Sequence, residues 1–208
     1  LLRLRFTTSH PKDISERLIR VISENDNICR SIHLPIQSGN DFILKRMNRG
    51  YTRKDYLEKI ELIKKYIPSC SLSTDIIVGF PGEQDDDFIQ TVEWAKKQKP
   101  EKVNISRYTP RPHTKALEYR NIDSRIVAQR SNELHDVCEK VKVSVRNSMI
   151  GWQGRVFISK EAKVKGLMAR TASYKPVVIP ESSAVPGSFC DVEIFDATPG
   201  YFLGRVIS

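Results

Sequence analysis

Four short stretches of this 208-residue chain carry groups able to grip a ligand: Ser9-His10-Pro11, Gln37-Ser38-Gly39, Gly79-Phe80-Pro81-Gly82-Glu83 and Arg107-Tyr108-Thr109-Pro110-Arg111-Pro112. Each closes a β-like run, so parallel pairing would bring all four to one rim of a sheet, where ligands of α/β folds bind. Gly39, Gly79 and Gly82 let the main chain approach a ligand closely. Gln37 offers a donor and an acceptor, as adenine or ribose recognition needs. Asp75 interrupts an apolar run and requires a partner or a ligand. Tyr108 can stack on a base or nucleoside. Taken singly, GFPGE reads better as a turn and helix start than as a site, and Gln37-Ser38-Gly39 reads equally as either. Their coincidence on one rim carries the reading. The chemistry indicated is cofactor binding, since no Ser-His-Asp order, Walker loop, GxGxxG or HExxH occurs.

The histidines add little. His33 lies inside a strand and reads as a satisfied core residue; His135 reads as solvated. His10 and His113, at strand ends, alone merit a functional reading.

A second chemistry lies near the C-terminus. Arg155, Lys160, Lys163, Lys165, Arg170 and Lys175 face a single acidic residue, Glu161, with Trp152, Phe157 and Tyr174 interleaved. Basic side chains with aromatics on a small barrel suit RNA phosphates and stacked bases. The net charge of +9 also favours a polyanionic partner.

Other classes are disfavoured. No apolar run approaches the ~18 residues of a membrane span, and no secretory signal pattern opens the chain. It begins Leu-Leu-Arg, within a strand pattern and without Met, and so reads as a piece lacking its N-terminal part. Cys29, Cys70, Cys138 and Cys190 form no C-x-x-C. They read as core residues of a protein in a reducing cytosol.

The elements that must position these groups alternate. Strands are expected at Leu2–Thr7, Arg30–Gln37, Leu72–Phe80 and Lys102–Tyr108. Pro35 suggests an irregular end to the second. Helices are expected after an Asp13 cap with Glu16 in capping-box position, over Asp41–Met47, after Thr52, and from Asp85. In the first, Ile14, Leu18, Val21 and Ile22 form the apolar stripe. The βαβαβαβ order implies a parallel sheet. A long helix follows, from Asp123 to about Met149. Five short strands between Gln153 and Ile207 then read as a small OB-like barrel.

The motifs SIHLPIQSGNDFILKRMNRGYTR, STDIIVGFPGE and RYTPRPHTKA, in that order, resemble the radical-SAM methylthiotransferases of the MiaB/RimO type, and the terminal barrel resembles their TRAM domain. The resemblance covers nearly the whole chain. It implies an α/β fold with the C-terminal part of a partial TIM-like barrel over residues 1–122, a bridging helix over 123–149 and an RNA-binding barrel over 150–208. It implies S-adenosylmethionine, [4Fe-4S] clusters, an electron donor, and the tRNA anticodon stem-loop as partner. The implied reaction adds a methylthio group to carbon 2 of an N6-modified adenosine.

The family's cluster-binding C-x-x-x-C-x-x-C loop is absent from this chain. In the family it precedes the segment matched here, so the four cysteines are not expected to be ligands. The chain by itself is expected to be inactive. By resemblance, Gln37, Ser38, Gly39, Asp75, Gly79, Glu83 and Tyr108 line the cofactor pocket. Arg107 and Arg111 lie near cofactor or nucleoside, while Arg155, Lys163, Lys165, Arg170, Tyr174 and Lys175 meet RNA.

The substrate is less sharply marked. RYTPRPHTKA and TASYKPVVIP resemble the archaeal and eukaryotic branch, which acts on N6-threonylcarbamoyladenosine; RFTTSHPKDISERL and NICRSIHLPIQSGN resemble bacterial MiaB, which acts on N6-isopentenyladenosine. An extra Arg near the site suits the threonyl carboxylate, so that substrate is expected. Alternatives are the isopentenyl substrate, a non-catalytic tRNA-binding module, or a ribosomal-protein methylthiotransferase of the RimO type. The basic stretch disfavours the last.

Overall fold

A computed structural model describes residues 2–7, 10–162, 165–181 and 184–207. The first half is built on a three-stranded parallel sheet, β1 (Ser31–His33), β2 (Ser71–Val78) and β3 (Lys102–Arg107), in that spatial order. Helix α1 (Glu16–Glu24) precedes β1; α2 (Asp41–Arg46) and α3 (Arg53–Tyr66) run between β1 and β2, and α4 (Asp85–Gln98) between β2 and β3. Beyond β3 come a single 3-10 turn, Lys115–Glu118, and the long helix α5 (Ser124–Asn147).

Local chemistry explains most boundaries. Thr52 accepts the Asp55 N–H, and the Asp55 carboxylate accepts the Thr52 N–H, closing a capping box at the start of α3. Asn40 caps α2 by accepting from Ile43 N. Three aspartates open α4 and two lysines end it, complementing the helix dipole.

Two expectations at the N-terminus are corrected. Leu2–Thr7 forms no strand; a parallel bridge joins Leu4 to Ile28, and Arg3 turns away to donate to Thr171 O at 2.5 Å. Ser15, rather than Asp13, caps α1 by accepting from Leu18 N. Asp13 and Ile14 instead fold back in a turn onto His10 O, which buries Ile14 before the helix begins. The inward face of α1 is therefore Ile19 and Ile22, and Leu18 and Val21 are exposed.

The remaining strands close a barrel in the order β4-β5-β6-β8-β7, from β4 (Gln153–Glu161), β5 (Leu167–Arg170), β6 (Pro176–Ile179), β7 (Phe189–Ala197) and β8 (Phe202–Val206). All five expected strands are present. Closure removes free edges from this small sheet. Bulges between Ile158 and Lys160 and between Ile194 and Asp196 bend the two longest strands. Side chains fill the interior, with Val156, Ile158, Val177, Ile179, Ile194 and Phe202 at its centre.

Helix α5 serves two cores. Leu134, Val137 and Cys138 pack with the sheet cluster, and Met149, just past its end, packs with the barrel cluster. The barrel also grips the sheet directly. Its 171–175 loop meets the residues just before all three strands: Ala172 O accepts from Arg30 N at 2.9 Å, Ser173 Oγ donates to Ser69 O at 2.6 Å, and Lys175 pairs with Glu101. The barrel thus caps the N-terminal edge of the sheet, opposite the rim.

Ile194 is fully buried at the barrel centre. Ile194→Ala is expected to lower unfolding free energy by about 2–5 kcal/mol through lost transfer energy and a residual cavity, measured by urea denaturation.

Candidate functional site: the sheet rim and its polar face

The two faces of the sheet differ in chemistry. One face carries Ile32, Thr74, Ile76 and Val78, all buried in the core. Alternation places His33, Ser73, Asp75 and Asn104 on the other. These four form one hydrogen-bonded row across the strands. His33 Nδ1 meets Ser73 Oγ at 2.9 Å, His33 Nε2 meets Asp75 Oδ2 at 3.1 Å, and Asn104 Nδ2 donates to Asp75 Oδ1 at 2.8 Å. Asp75 thus finds its partners within the sheet and remains a third exposed, at 34% of its side chain. His33 is satisfied, as expected, yet it belongs to a polar row rather than a core. Its alternation with Ile32 and Leu34 was the available signal.

Above this row the chain reaches the rim. After His33, Pro35 has no N–H to offer, and Ile36 N turns to Thr74 Oγ1 at 2.9 Å. Gln37 then rejoins β2 through Asp75 O and Ile77 N, each at 2.9 Å. It does so with φ 72°, a left-handed conformation that a non-glycine residue holds only under constraint. Its side-chain amide makes no hydrogen bond among the described residues. Tyr51 staples this turn, donating to Pro35 O at 3.2 Å and Ile36 O at 3.0 Å.

Ser38 and Gly39 face inward. Ser38 Oγ accepts from Asn40 N, and Gly39 N donates to Thr91 Oγ1 at 3.0 Å. A Cβ at Gly39 would lie 2.6 Å from Thr91 Cα. The glycine therefore admits helix α4; that contact replaces the ligand approach expected of it.

The GFPGE turn is held from inside. Gly79 has φ 77°, and a Cβ there would strike Val127 of α5 at 2.5 Å. Glu83 is 4% exposed. Its Oε2 accepts from Gly79 N at 3.0 Å and from Arg130 Nη1 at 2.9 Å. Arg130 also donates to Glu83 O at 3.1 Å and Asp85 Oδ1 at 2.6 Å. Burial pushes the Glu83 carboxyl above its usual range, while the Gly79 N–H and Arg130 oppose that shift. Glu83 shapes the loop from within, contrary to the expectation that it lines a ligand pocket.

What the rim leaves without an internal partner is smaller and more definite. Tyr108 packs edge-on to Phe80, with ring centroids 5.0 Å apart, and its hydroxyl is buried without a hydrogen-bond partner among the described residues. Arg107 and Arg111 are exposed. Arg46, a residue without an obvious sequence signal, lies against Gly82, donates to Pro81 O at 3.1 Å and stacks 3.8 Å from the Tyr119 centroid. An unpaired tyrosine hydroxyl, a free glutamine amide and three arginines fit a polar, nucleoside-bearing cofactor. Among the described residues, no group of three or more His, Cys, Asp or Glu could hold a metal ion, so these residues do not fit an iron–sulfur cluster. Burial pushes the Cys70 and Cys138 thiols up to about 12 and about 11.

The basic stretch resolves into a ladder. Arg155 lies over Phe189 at 4.9 Å, Phe189 packs on Phe157 at 5.2 Å, and Phe157 is paired with Arg170 across the strands. Arg170 lies 4.6 Å from the Tyr174 ring centroid, with Arg5 at 4.4 Å. Arg3 and Arg5, from the N-terminal segment, join a patch that sequence order kept apart from them. Lys165 is exposed at the hairpin end, and Lys163 lies outside the described residues. Lys175 is a correction. Its side chain is 12% exposed and paired with Glu101, so it fastens barrel to sheet and is not available to RNA phosphates.

Comparison with known proteins follows the same lines. Residues 1–95 match the model of the Radical SAM superfamily. The chain is 40% identical to a tRNA-2-methylthio-N(6)-dimethylallyladenosine synthase of Chloroherpeton thalassium over 99% of its length, covering 47% of that protein. It is 38% identical to a probable threonylcarbamoyladenosine tRNA methylthiotransferase of Pyrococcus abyssi, again over 99% of its length and 48% of the relative's. The chain thus spans about half the length of the curated relatives it matches. In fold it is similar to the radical SAM enzyme coproporphyrinogen III oxidase of Escherichia coli, with a TM-score of 0.54 at 9% identity, over 90% of this chain and 45% of that one. The resemblance read from the motifs, and the α/β class with a terminal small barrel, are both borne out.

Arg130→Met is expected to destabilise the chain by about 3–5 kcal/mol, because it leaves the Glu83 carboxylate buried without its countercharge; equilibrium denaturation measures it. A second expectation concerns Tyr51, whose hydroxyl is pushed by burial from 10.0 up to about 12. The folded state holds this proton more tightly, so the contribution is complete below pH 10 and is lost as pH rises toward about 12. Across that window wild type should lose stability relative to Tyr51→Phe, and parallel curves would refute the assignment.

Proposed function

We propose that this chain is part of a radical-SAM methylthiotransferase that modifies an adenosine of tRNA. The observation that carries this reading is similarity along nearly the whole chain to two sets of relatives whose names specify tRNA methylthiolation. In this reading residues 1–122 form part of the radical-SAM barrel, 123–149 the bridging helix and 150–208 the RNA-binding barrel.

The rim is the proposed site of S-adenosylmethionine. When bound, that cofactor would supply the radical chemistry; a [4Fe-4S] cluster and an electron donor belong to the same reading, and no residue of this chain is assigned to hold them. The chain's own residues bind and orient. Gln37 would offer its free amide and Tyr108 its unpaired hydroxyl to the cofactor. Asp75, with His33 and Asn104 fixing its two oxygens, would present a preorganised acceptor beneath it. Gly79 and Glu83 hold the turn that forms the wall, and Ser38 and Gly39 seat the opposite loop on α4.

Arg107 and Arg111 are exposed at the same rim with no ion pair among the described residues, and favour a substrate with a carboxylate, as in N6-threonylcarbamoyladenosine. The relatives named for the dimethylallyl substrate support the isopentenyl alternative instead. The Arg-aromatic ladder would take the RNA backbone and stacked bases, with the tRNA anticodon stem-loop as partner. Ladder and rim stand at opposite edges of the sheet. The eight residues of β2 set their separation at roughly 26 Å, so the RNA must reach across the domain. No helix among the described residues is long and apolar enough to cross a membrane.

Mass spectrometry of tRNA nucleosides from a strain lacking the gene tests the proposal. Loss of one 2-methylthio-adenosine species is expected, and its mass identifies the N6 group. An unchanged nucleoside profile would reject it.

A further inference from the structure

Between the N-terminal edge of the sheet, helix α5 and the barrel lies a cleft of about 400 Å³. It is at the edge opposite the rim, and of the polar row only Ser73 lines it. Arg5, Lys102, His135, Lys142, Arg146 and Lys175 supply its basic lining. Two of these are already neutralised. Lys142 Nζ donates to both Glu139 oxygens at 3.1 Å, and Lys175 pairs with Glu101. The same pairs neutralise the two carboxylates that line the cleft, so neither would repel an anion at full charge. His135 and Lys102 are exposed.

Arg146 differs from its neighbours. Its guanidinium lies 4.3 Å from the Phe202 ring centroid, which covers one face. Its Nε and Nη2 are both buried and have no hydrogen-bond partner among the described residues. Burial also lowers its affinity for its proton. Leaving charged donors unpaired costs more than leaving a neutral group unpaired. The Nε and Nη2 hydrogens lie side by side in one plane, the fork that matches two oxygens of a phosphate. The cleft opens beside Arg5 and Tyr174, which also belong to the Arg-aromatic ladder.

We propose that this cleft binds a phosphate group, held side-on by Arg146 with Lys102 and Arg5 as supporting charges. The phosphate is either a phosphodiester of bound RNA or a free phosphorylated ligand. Only the RNA source rests on the tRNA reading above.

The test titrates inorganic phosphate and, separately, anticodon stem-loop RNA into the full chain, as wild type and as Arg146→Met. Inorganic phosphate should bind wild type at least about tenfold more tightly than the variant, the loss expected for one charge-assisted contact. If RNA is the source, the variant should also bind RNA more weakly, with a salt slope reduced by about one. Phosphate binding lost in the variant with RNA binding unchanged identifies a free ligand. Phosphate binding without any RNA binding sustains the cleft and rejects the tRNA reading. No phosphate binding to wild type, with RNA bound equally by both proteins, overturns the cleft and leaves the tRNA reading standing. Should Arg146→Met not fold, the exposed Lys102→Met carries the same comparison with a smaller expected loss.

Discussion

The carboxylate of Glu83 leaves water at the end of β2, and the rim depends on how that loss is compensated. A buried carboxylate is stable only with donors and a countercharge. Gly79 N supplies one donor from the same turn, and Arg130 supplies the charge from α5, 47 positions along the chain. Arg130 also reaches Glu83 O and Asp85, so one side chain ties the turn, the start of α4 and the long helix together. Val127, one turn earlier on α5, lies where a Cβ of Gly79 would be. The turn and the helix thus determine each other, and α5 braces the rim from behind.

The same helix relates the rim to the barrel. Its first half packs on the sheet cluster and its end leads into the barrel cluster. The 171–175 loop then meets the residues preceding β1, β2 and β3. One parallel sheet therefore has two differently used edges. The C-terminal edge exposes Arg107 and Arg111 and keeps Gln37 and the Tyr108 hydroxyl buried beneath them, and the N-terminal edge is occupied by the barrel. The polar row of His33, Ser73, Asp75 and Asn104 lies between them on one face, with an apolar core on the other. This asymmetry suits a sheet whose polar face looks into a ligand-holding space.

Much of this was legible in order. The β-branched run of β2, the GFPGE turn, the Thr52 cap and the five barrel strands all follow from local pattern, because propensity, alternation and capping agree there. The misreadings share a cause. Leu2–Thr7 alternates like a strand, but its arginines are drawn to the barrel. Asp13 looks like a cap, but Ile14 must enter the core first. Lys175 sits in a basic run, yet burial and Glu101 make it a fastening. In each case a partner far along the chain outweighed the local signal.

The residue types on the rim were set by the sequence: glycines where the main chain is crowded, an amide, a tyrosine and arginines at strand ends, and motifs that resemble one enzyme family. Which of them face a ligand was decided by tertiary structure. Gly39 and Glu83 turned inward because α4 and Arg130 lie behind them, whereas Gln37 and Tyr108 kept unpaired polar groups. His33 joined Asp75, and Arg5 joined Tyr174, only because folding brought distant strands and segments together. Local pattern encodes where the backbone turns; burial and countercharge, which depend on residues far away in the chain, determine what each side chain is free to do.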